Sequence, residues 1–206
     1  MKKALYIAFA LVLLAGSTAT AQQRFDATVF GGATFNQIDG DDAGGYTHLG
    51  LRGGVGTSFY LGWDERTPWR LVVELAYVQK GSNIDNDLLQ RRISLDYVEL
   101  PVMMSYTMLG GSLRLAAGVA PAVLVGAVVD DGVGERNAIQ EARYRRFDWL
   151  PLTFSARYLF TYDVAVELRF QTSMISMYDG SGPYRIFSAN HGAFNRQLSL
   201  GLAYCF

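Results

Sequence analysis

The sequence predicts an all-β chain: an eight-stranded antiparallel up-and-down transmembrane β-barrel, preceded by a cleavable signal peptide. Three observations predict it. Apolar and polar residues alternate with a period of two in segment after segment. The connections between those segments alternate long and short. The charges within the segments fall on the parity opposite the strongly apolar one, which is the polarity of a barrel that meets lipid rather than water.

The first element is the export signal. Met1-Lys2-Lys3 is basic, Ala4 to Ala15 is an uncharged apolar run, and Ala19-Thr20-Ala21 gives the small-x-small cleavage pattern, so the cut is expected before Gln22. The apolar run is too short to span a bilayer, which takes about 20 residues. Ser17 stands where an acylated Cys would have to be, which argues against a lipid anchor. The organisation is therefore residues 1–21 as signal peptide and 22–206 as one barrel domain. Residues 1–21 carry two lysines and no acid, so the net charge falls from −1 to −3 on cleavage. That balance gives no reason to expect a nucleic-acid partner. Cys205 is the only cysteine, so no internal disulfide forms.

Eight strands follow, at roughly 25–36, 48–61, 69–80, 92–107, 112–128, 147–160, 164–177 and 194–206. In the second, Leu49, Leu51, Val55 and Phe59 alternate with His48, Gly50, Arg52 and Gly54. In the third, Trp69, Leu71, Val73, Leu75 and Tyr77 alternate with a parity that holds Arg70 and Glu74. The apolar run Leu115 to Val129 is short, carries Pro121 and has Arg114 at its edge, so it reads as a strand and not as a membrane helix. In the sixth, Leu152, Phe154, Ala156 and Tyr158 alternate with Thr153, Ser155 and Arg157. In the seventh, Val164, Val166, Leu168 and Phe170 alternate with Glu167 and Arg169. In the last, Leu198, Leu200, Leu202, Tyr204 and Phe206 alternate with small and polar residues.

Long connections are expected at 37–47, 81–91, 129–146 and 178–193, and short ones at 62–68, 108–111 and 161–163. Gly110-Gly111 and Thr161-Tyr-Asp163 suit tight hairpins, because Gly and Asp tolerate positive φ. Long loops on one side and tight turns on the other is the layout of an outer-membrane barrel, with both termini periplasmic and the long loops extracellular. Aromatic residues point the same way. Trp63, Trp69, Tyr106, Phe160, Tyr162, Tyr204 and Phe206 gather toward one end, and Tyr77, Phe147, Trp149, Tyr178 and Phe194 toward the other.

The charges decide which face is which. Arg52, Glu74, Glu99, Arg114, Arg157, Glu167 and Arg169 sit mid-strand opposite the apolar parity. Facing lipid, each Arg would cost about 2–4 kcal/mol at the midplane. Inside, three Glu and four Arg satisfy one another by charge-assisted hydrogen bonds in a lumen only just wide enough for side chains.

Leu198, Leu200, Leu202, Tyr204 and Phe206 are similar to the C-terminal signature of outer-membrane proteins, which implies a signal for the barrel-assembly machinery during insertion. Tyr97-Val-Glu-Leu-Pro101 and Ala117-Gly-Val-Ala-Pro121 resemble stretches of the outer membrane protein beta-barrel, or porin-family, domain of the Bacteroidetes type. The resemblance covers Gln22 to Phe206. It implies an eight-stranded barrel in the bacterial outer membrane and transfers no active site.

No catalytic, metal or cofactor constellation emerges. His48 and His191 fall near the expected outer rim, the second with Ser188 and Asn190, but no spacing binds them to one site; solvated loop histidines are the favoured reading over a lipid A-modifying enzyme. Asp39-Gly-Asp-Asp42 lacks the Glu that would complete a Ca²⁺ loop, since Gly50 stands at the twelfth position. Gly53-Gly54-Val55-Gly56 eases curvature and leaves room for bulky neighbours. Arg143, Arg145 and Arg146 would suit lipopolysaccharide phosphates; a solvated loop balanced by Asp130, Asp131, Glu135 and Glu141 is the favoured account. The expectation is thus a structural or interaction scaffold with a closed, charged lumen, among outer-membrane lipids and lipopolysaccharide, with a narrow solute or ion channel as the alternative.

Overall fold

The computed structural model describes residues 25–39, 45–61, 67–86, 89–130, 135–137, 145–176 and 194–206. The expected signal peptide, Trp63, Tyr178, the acidic residues Asp41 and Asp42 and the Ser188–His191 group lie outside them.

The strands are β1 (Phe25–Asp39), β2 (His48–Tyr60), β3 (Trp69–Asn86), β4 (Leu89–Glu99), β5 (Val102–Met108), β6 (Leu113–Val119), β7 (Ala122–Asp130), β8 (Glu135–Asn137), β9 (Phe147–Asp148), β10 (Pro151–Leu159), β11 (Val164–Ser173) and β12 (Phe194–Cys205). They form one antiparallel sheet that closes on itself: β1 pairs with β2 and with β12, β2 with β3, and β11 with β12. β4 runs on into β5, β6 into β7, and β9 into β10, so the closed sheet has eight staves. The expected eight-stranded up-and-down barrel is present.

Three consecutive staves are interrupted at one row, at Leu100-Pro101, at Ala120-Pro121 and at Trp149-Leu150, just before Pro151 opens β10. Proline has no N–H for the ladder, and a closed barrel has no edge on which to place it. The carbonyls keep the seam bonded: Pro101 accepts from Glu74 N, Pro121 from Leu100 N and Pro151 from Ala120 N, each at 2.9 Å.

The connection expected at 81–91 is corrected. β3 and β4 stay paired as far as Asn86 and Leu89. Residues 37–39, expected as loop, likewise belong to β1 and pair with β12. A backbone ladder satisfies its N–H and C=O groups whatever the side chains are, so these staves extend past the point where the outward apolar alternation ends. The short turns at 108–111 and 161–163 are as expected, while most of 62–68 lies outside the described residues. Leu109, Gly110 and Gly111 take φ of 53°, 65° and 105°, and Phe160 N bonds Val164 O at 2.9 Å.

An apolar band covers the outside of the barrel. Leu51, Val55, Leu75, Met104, Phe154, Leu168, Leu200 and Leu202 are all exposed, a continuous area far beyond what a water-soluble monomer displays. At the tight-turn end it is edged by the ring pairs Trp69–Tyr106 (4.9 Å), Tyr204–Phe206 (4.9 Å) and Tyr158–Phe160 (5.4 Å). Toward the long connections, Phe147 and Trp149 stack at 5.3 Å. Phe194 does not join this upper belt: it is buried, at 4 % exposure.

The band ends along a definite row. On β3 the outward side chains change from Tyr77 to Gln79, on β4 from Val98 to Asp96, on β1 from Phe35 to Gln37, on β12 from Leu198 to Arg196 and on β11 from Phe170 to Thr172. The registers join these positions: Gln79 faces Asp96, Gln37 faces Arg196, and Arg196 faces Thr172. β2 and β7 are exceptions: β2 keeps Leu49 and Leu51 outward, and β7 keeps Val128 exposed opposite Ser94.

Candidate functional site

The chemistry-bearing residues converge in the lumen, in three layers set by strand register. The middle layer is an ion cluster of Arg52, Glu74, Arg157, Glu167 and Arg169, none more than 9 % exposed. Each acid is shared. Glu74 Oε2 accepts from Arg52 Nη2 at 2.9 Å and pairs with Arg169 Nη2 at 2.8 Å, while its Oε1 accepts from Arg157 Nη2 at 3.2 Å. Glu167 Oε1 accepts from Arg169 Nε at 3.0 Å and from Arg52 Nη1 at 3.2 Å, and its Oε2 from Arg157 Nε at 3.0 Å. The Arg52 guanidinium also lies over the Phe30 ring, 4.3 Å from its centroid.

Small residues make room for this cluster. Arg52 stands opposite Gly32, Glu74 opposite Gly56 and Glu167 opposite Gly201. A Cβ on Gly32 would come within 2.3 Å of Leu200 O and 2.4 Å of Gly201 Cα, so neither backbone admits a larger residue there. Two staves therefore approach closely on the side from which the charged side chains reach across.

Above the cluster, Glu99 departs from the network in which the sequence placed it. Its Oε1 is held by Lys80 Nζ at 2.6 Å and by Gln171 Nε2 at 2.8 Å. Lys80 is 5.1 Å from the Tyr97 ring centroid. Higher still, the lumen turns apolar: Ile38, Ile93, Leu95, Tyr97, Ala122, Leu124 and Ala127 form a buried cluster. Beside it His48 turns inward, 3 % exposed, with Nδ1 3.1 Å from Asn83 Oδ1. It is a buried lumen side chain, not the solvated loop histidine that the sequence suggested.

Below the cluster, Arg114 also leaves the network. It lies 3.6 Å from Asp26, which it shares with Arg70. Arg70 Nη2 donates to Tyr60 Oη at 2.5 Å, and its guanidinium stacks 4.0 Å from that ring's centroid. Cys205 is buried, its Sγ 3.8 Å from Thr28 Oγ1.

Sequence reasoning missed Asp26, Arg70, Lys80, Asp148 and Gln171 as lumen residues. Arg70 and Lys80 share the parity of Glu74, so their places were readable from the alternation, though they lie toward the strand ends. Asp148, bonded by Ser173 Oγ at 2.6 Å, precedes the proline break and carries no such signal.

Leu200, Leu202, Tyr204 and Phe206 point outward, and Phe206 N bonds Ala27 O at 2.9 Å, which ties this end of the chain to β1. Leu198 shares their face and is half-buried. At the opposite end Arg146 is exposed, its carbonyl accepting Leu124 N at 2.8 Å, and Arg145 is half-buried beside it. Arg143 is outside the described residues. Among the described residues no three His, Cys, Asp or Glu side chains gather as a metal site, and no helix is long and apolar enough to cross a membrane.

No protein of curated function matches this sequence. Among solved structures, Ail, the attachment invasion locus protein of Yersinia pestis, is similar in fold, with a TM-score of 0.52, 10 % identity, and coverage of 89 % of this chain and 99 % of Ail. Neisserial surface protein A aligns over 88 % of this chain and 97 % of its own, at 11 % identity and a TM-score of 0.47. OprG from Pseudomonas aeruginosa aligns over 89 % of this chain and 96 % of its own, at 11 % identity and a TM-score of 0.45. The family model described as "Outer membrane protein beta-barrel domain" matches residues 20–179. The apolar girdle, the charged lumen and this match agree: the chain belongs to the outer membrane protein beta-barrel family.

Proposed function

We propose that this barrel is a closed scaffold of the bacterial outer membrane, without catalytic activity, whose long connections carry out recognition. One observation carries the reading: the lumen is filled along its axis, by the five-residue ion cluster in the middle and by the apolar cluster of Ile93, Leu95 and Tyr97 above it. An open pore would need a continuous aqueous path, and eight staves leave room for little more than their own side chains. Both chain ends then face the periplasm and the long connections face outward. The chain is inserted by the barrel-assembly machinery, through the outward-facing Leu198–Phe206 series. Arg145 and Arg146, at the rim before Phe147, pair with lipopolysaccharide phosphates.

Planar-bilayer recording of the refolded protein tests the closure. The expected result is a quiet membrane with no stable steps. Large, stable conductance steps would overturn the scaffold reading in favour of the narrow channel. Replacing Arg145 and Arg146 by Gln is expected to weaken co-purification of lipopolysaccharide with the barrel; unchanged co-purification would overturn the contact.

A further inference from the structure

Among the described residues, the lower end of the lumen has more positive charge than its carboxylates neutralise. Arg70 and Arg114 share the single carboxylate of Asp26. Arg114 stands directly opposite Arg157 in the β6–β10 register, a placement of like charges that destabilises a sheet unless something intervenes. Arg157 turns up toward Glu74 and Glu167, and Arg114 turns down toward Asp26. Near this division is a cavity of about 20 Å³, lined by Ser58, Arg70, Met103, Ser105, Arg114 and Arg157 among others.

Three of the lining side chains have a donor atom without a partner: Arg70 Nε, Arg114 Nε and Ser58 Oγ. Arg70 and Ser58 are 7 % and 6 % exposed. A buried donor left unpaired costs about 1–3 kcal/mol, more when charged. Glu74, also in the lining, has both oxygens taken by Arg52, Arg157 and Arg169, so it does not answer these donors.

We propose that this cavity is a binding site for one small monovalent anion of the halide class, chloride in physiological media. The donors are cationic or hydroxylic. The space exceeds the roughly 10–15 Å³ that one water needs and is too small for a phosphate or a sugar acid. Asp26, a quarter exposed, and Arg114 place the entrance at the tight-turn end. An anion there screens Arg114 from Arg157 and completes the donors that the protein leaves open. The site does not depend on whether the lumen conducts, because all its donors lie at the tight-turn end.

Thermal unfolding of the refolded full-length barrel in detergent tests the site, in sodium chloride, bromide or gluconate at matched ionic strength. Halide is expected to raise Tm over gluconate by about 2–4 °C, saturably. Arg70→Met is expected to abolish that difference, Ser58→Ala to weaken the apparent halide affinity several-fold, and Ser94→Ala, on the outer face, to leave it intact. Crystals grown in bromide are expected to show an anomalous peak beside Arg70 Nε and Ser58 Oγ. Equal Tm in halide and gluconate, a difference that survives in both Arg70→Met and Ser58→Ala, or a peak-free cavity would overturn the proposal. If Arg70→Met does not fold, Ser58→Ala and the bromide peak still decide.

Discussion

The two ends of the barrel meet the same packing demand with opposite chemistry. Toward the tight turns, aliphatic and aromatic side chains face out, and arginines and glutamates fill the lumen. Toward the long connections, Gln37, Gln79, Asp96, Arg196 and Thr172 face out, and Ile38, Ile93, Leu95, Tyr97 and Leu124 fill the lumen. The outward face changes within one residue pair on β1, β3, β4, β11 and β12, and the lumen turns apolar on β1, β4 and β7. A strand cannot change its geometry so abruptly, but its solvent can change across a bilayer surface. The row from Gln79 to Arg196 therefore marks where lipid gives way to water, and the staves beyond it are packed as a soluble β-barrel would be.

The largest effect should come from the backbone contact under the ion cluster. Gly32→Val would push a side chain into Leu200 O and Gly201 Cα, with no flexible neighbour to yield. The expected outcome is no folded species, read as loss of the heat-modifiable band on a gel. A folded, heat-modifiable Gly32→Val barrel would show that the staves are further apart than described.

Next is the cluster itself. Removing the charge of Glu74 leaves Arg52, Arg157 and Arg169 sharing only Glu167. Breaking a buried ion group this way costs about 3–5 kcal/mol. Glu74→Gln is expected to lower the stability of the refolded barrel by that amount in urea titration in lipid vesicles. A change under about 1 kcal/mol would mean that water already screens the lumen at this level.

The outer face sharpens the comparison. Leu75, in the apolar band of β3, is 52 % exposed; Ser94 lies on the outer face of β4 beyond the row, opposite Gly81. Leu75→Arg is expected to cost about 2–4 kcal/mol, and Ser94→Arg to stay within about 0.5 kcal/mol. Similar costs at both sites in the vesicle titration would remove the bilayer boundary from the row assigned to it.

This boundary also explains which parts of the molecule were legible in the sequence. Where lipid is the outer solvent, one parity is strongly apolar and the other holds the charges, so Leu71, Val73 and Leu75 identify β3 and place Glu74 inward. Beyond the row both faces change character. Ile93, Leu95 and Tyr97 share the inward parity of Glu99, and a rule that turns apolar residues outward cannot find them. The same loss of contrast hid the pairing of 81–86 with 89–94, where only the backbone ladder defines the strand. Partner choice in the lumen was not readable either. Parity places Arg52, Glu99 and Arg114 inside, but side-chain reach and stave height send Glu99 to Lys80 and Arg114 to Asp26.

A small effect is also expected from a charged pair on the row itself. Arg196 Nε and Asp39 Oδ2 pair at 2.7 Å on the outer face, with 37 % and 24 % of their side chains exposed. Geometrically this pair is as close as those in the lumen, yet water screens it and competes for both partners. Arg196→Gln is expected to cost no more than about 1 kcal/mol, and less at high salt. The contrast with Glu74→Gln turns on the solvent around each pair, since the charge removed is the same size. A loss of several kcal/mol at Arg196, insensitive to salt, would place this pair within the lipid and move the boundary at least one residue pair toward the long connections.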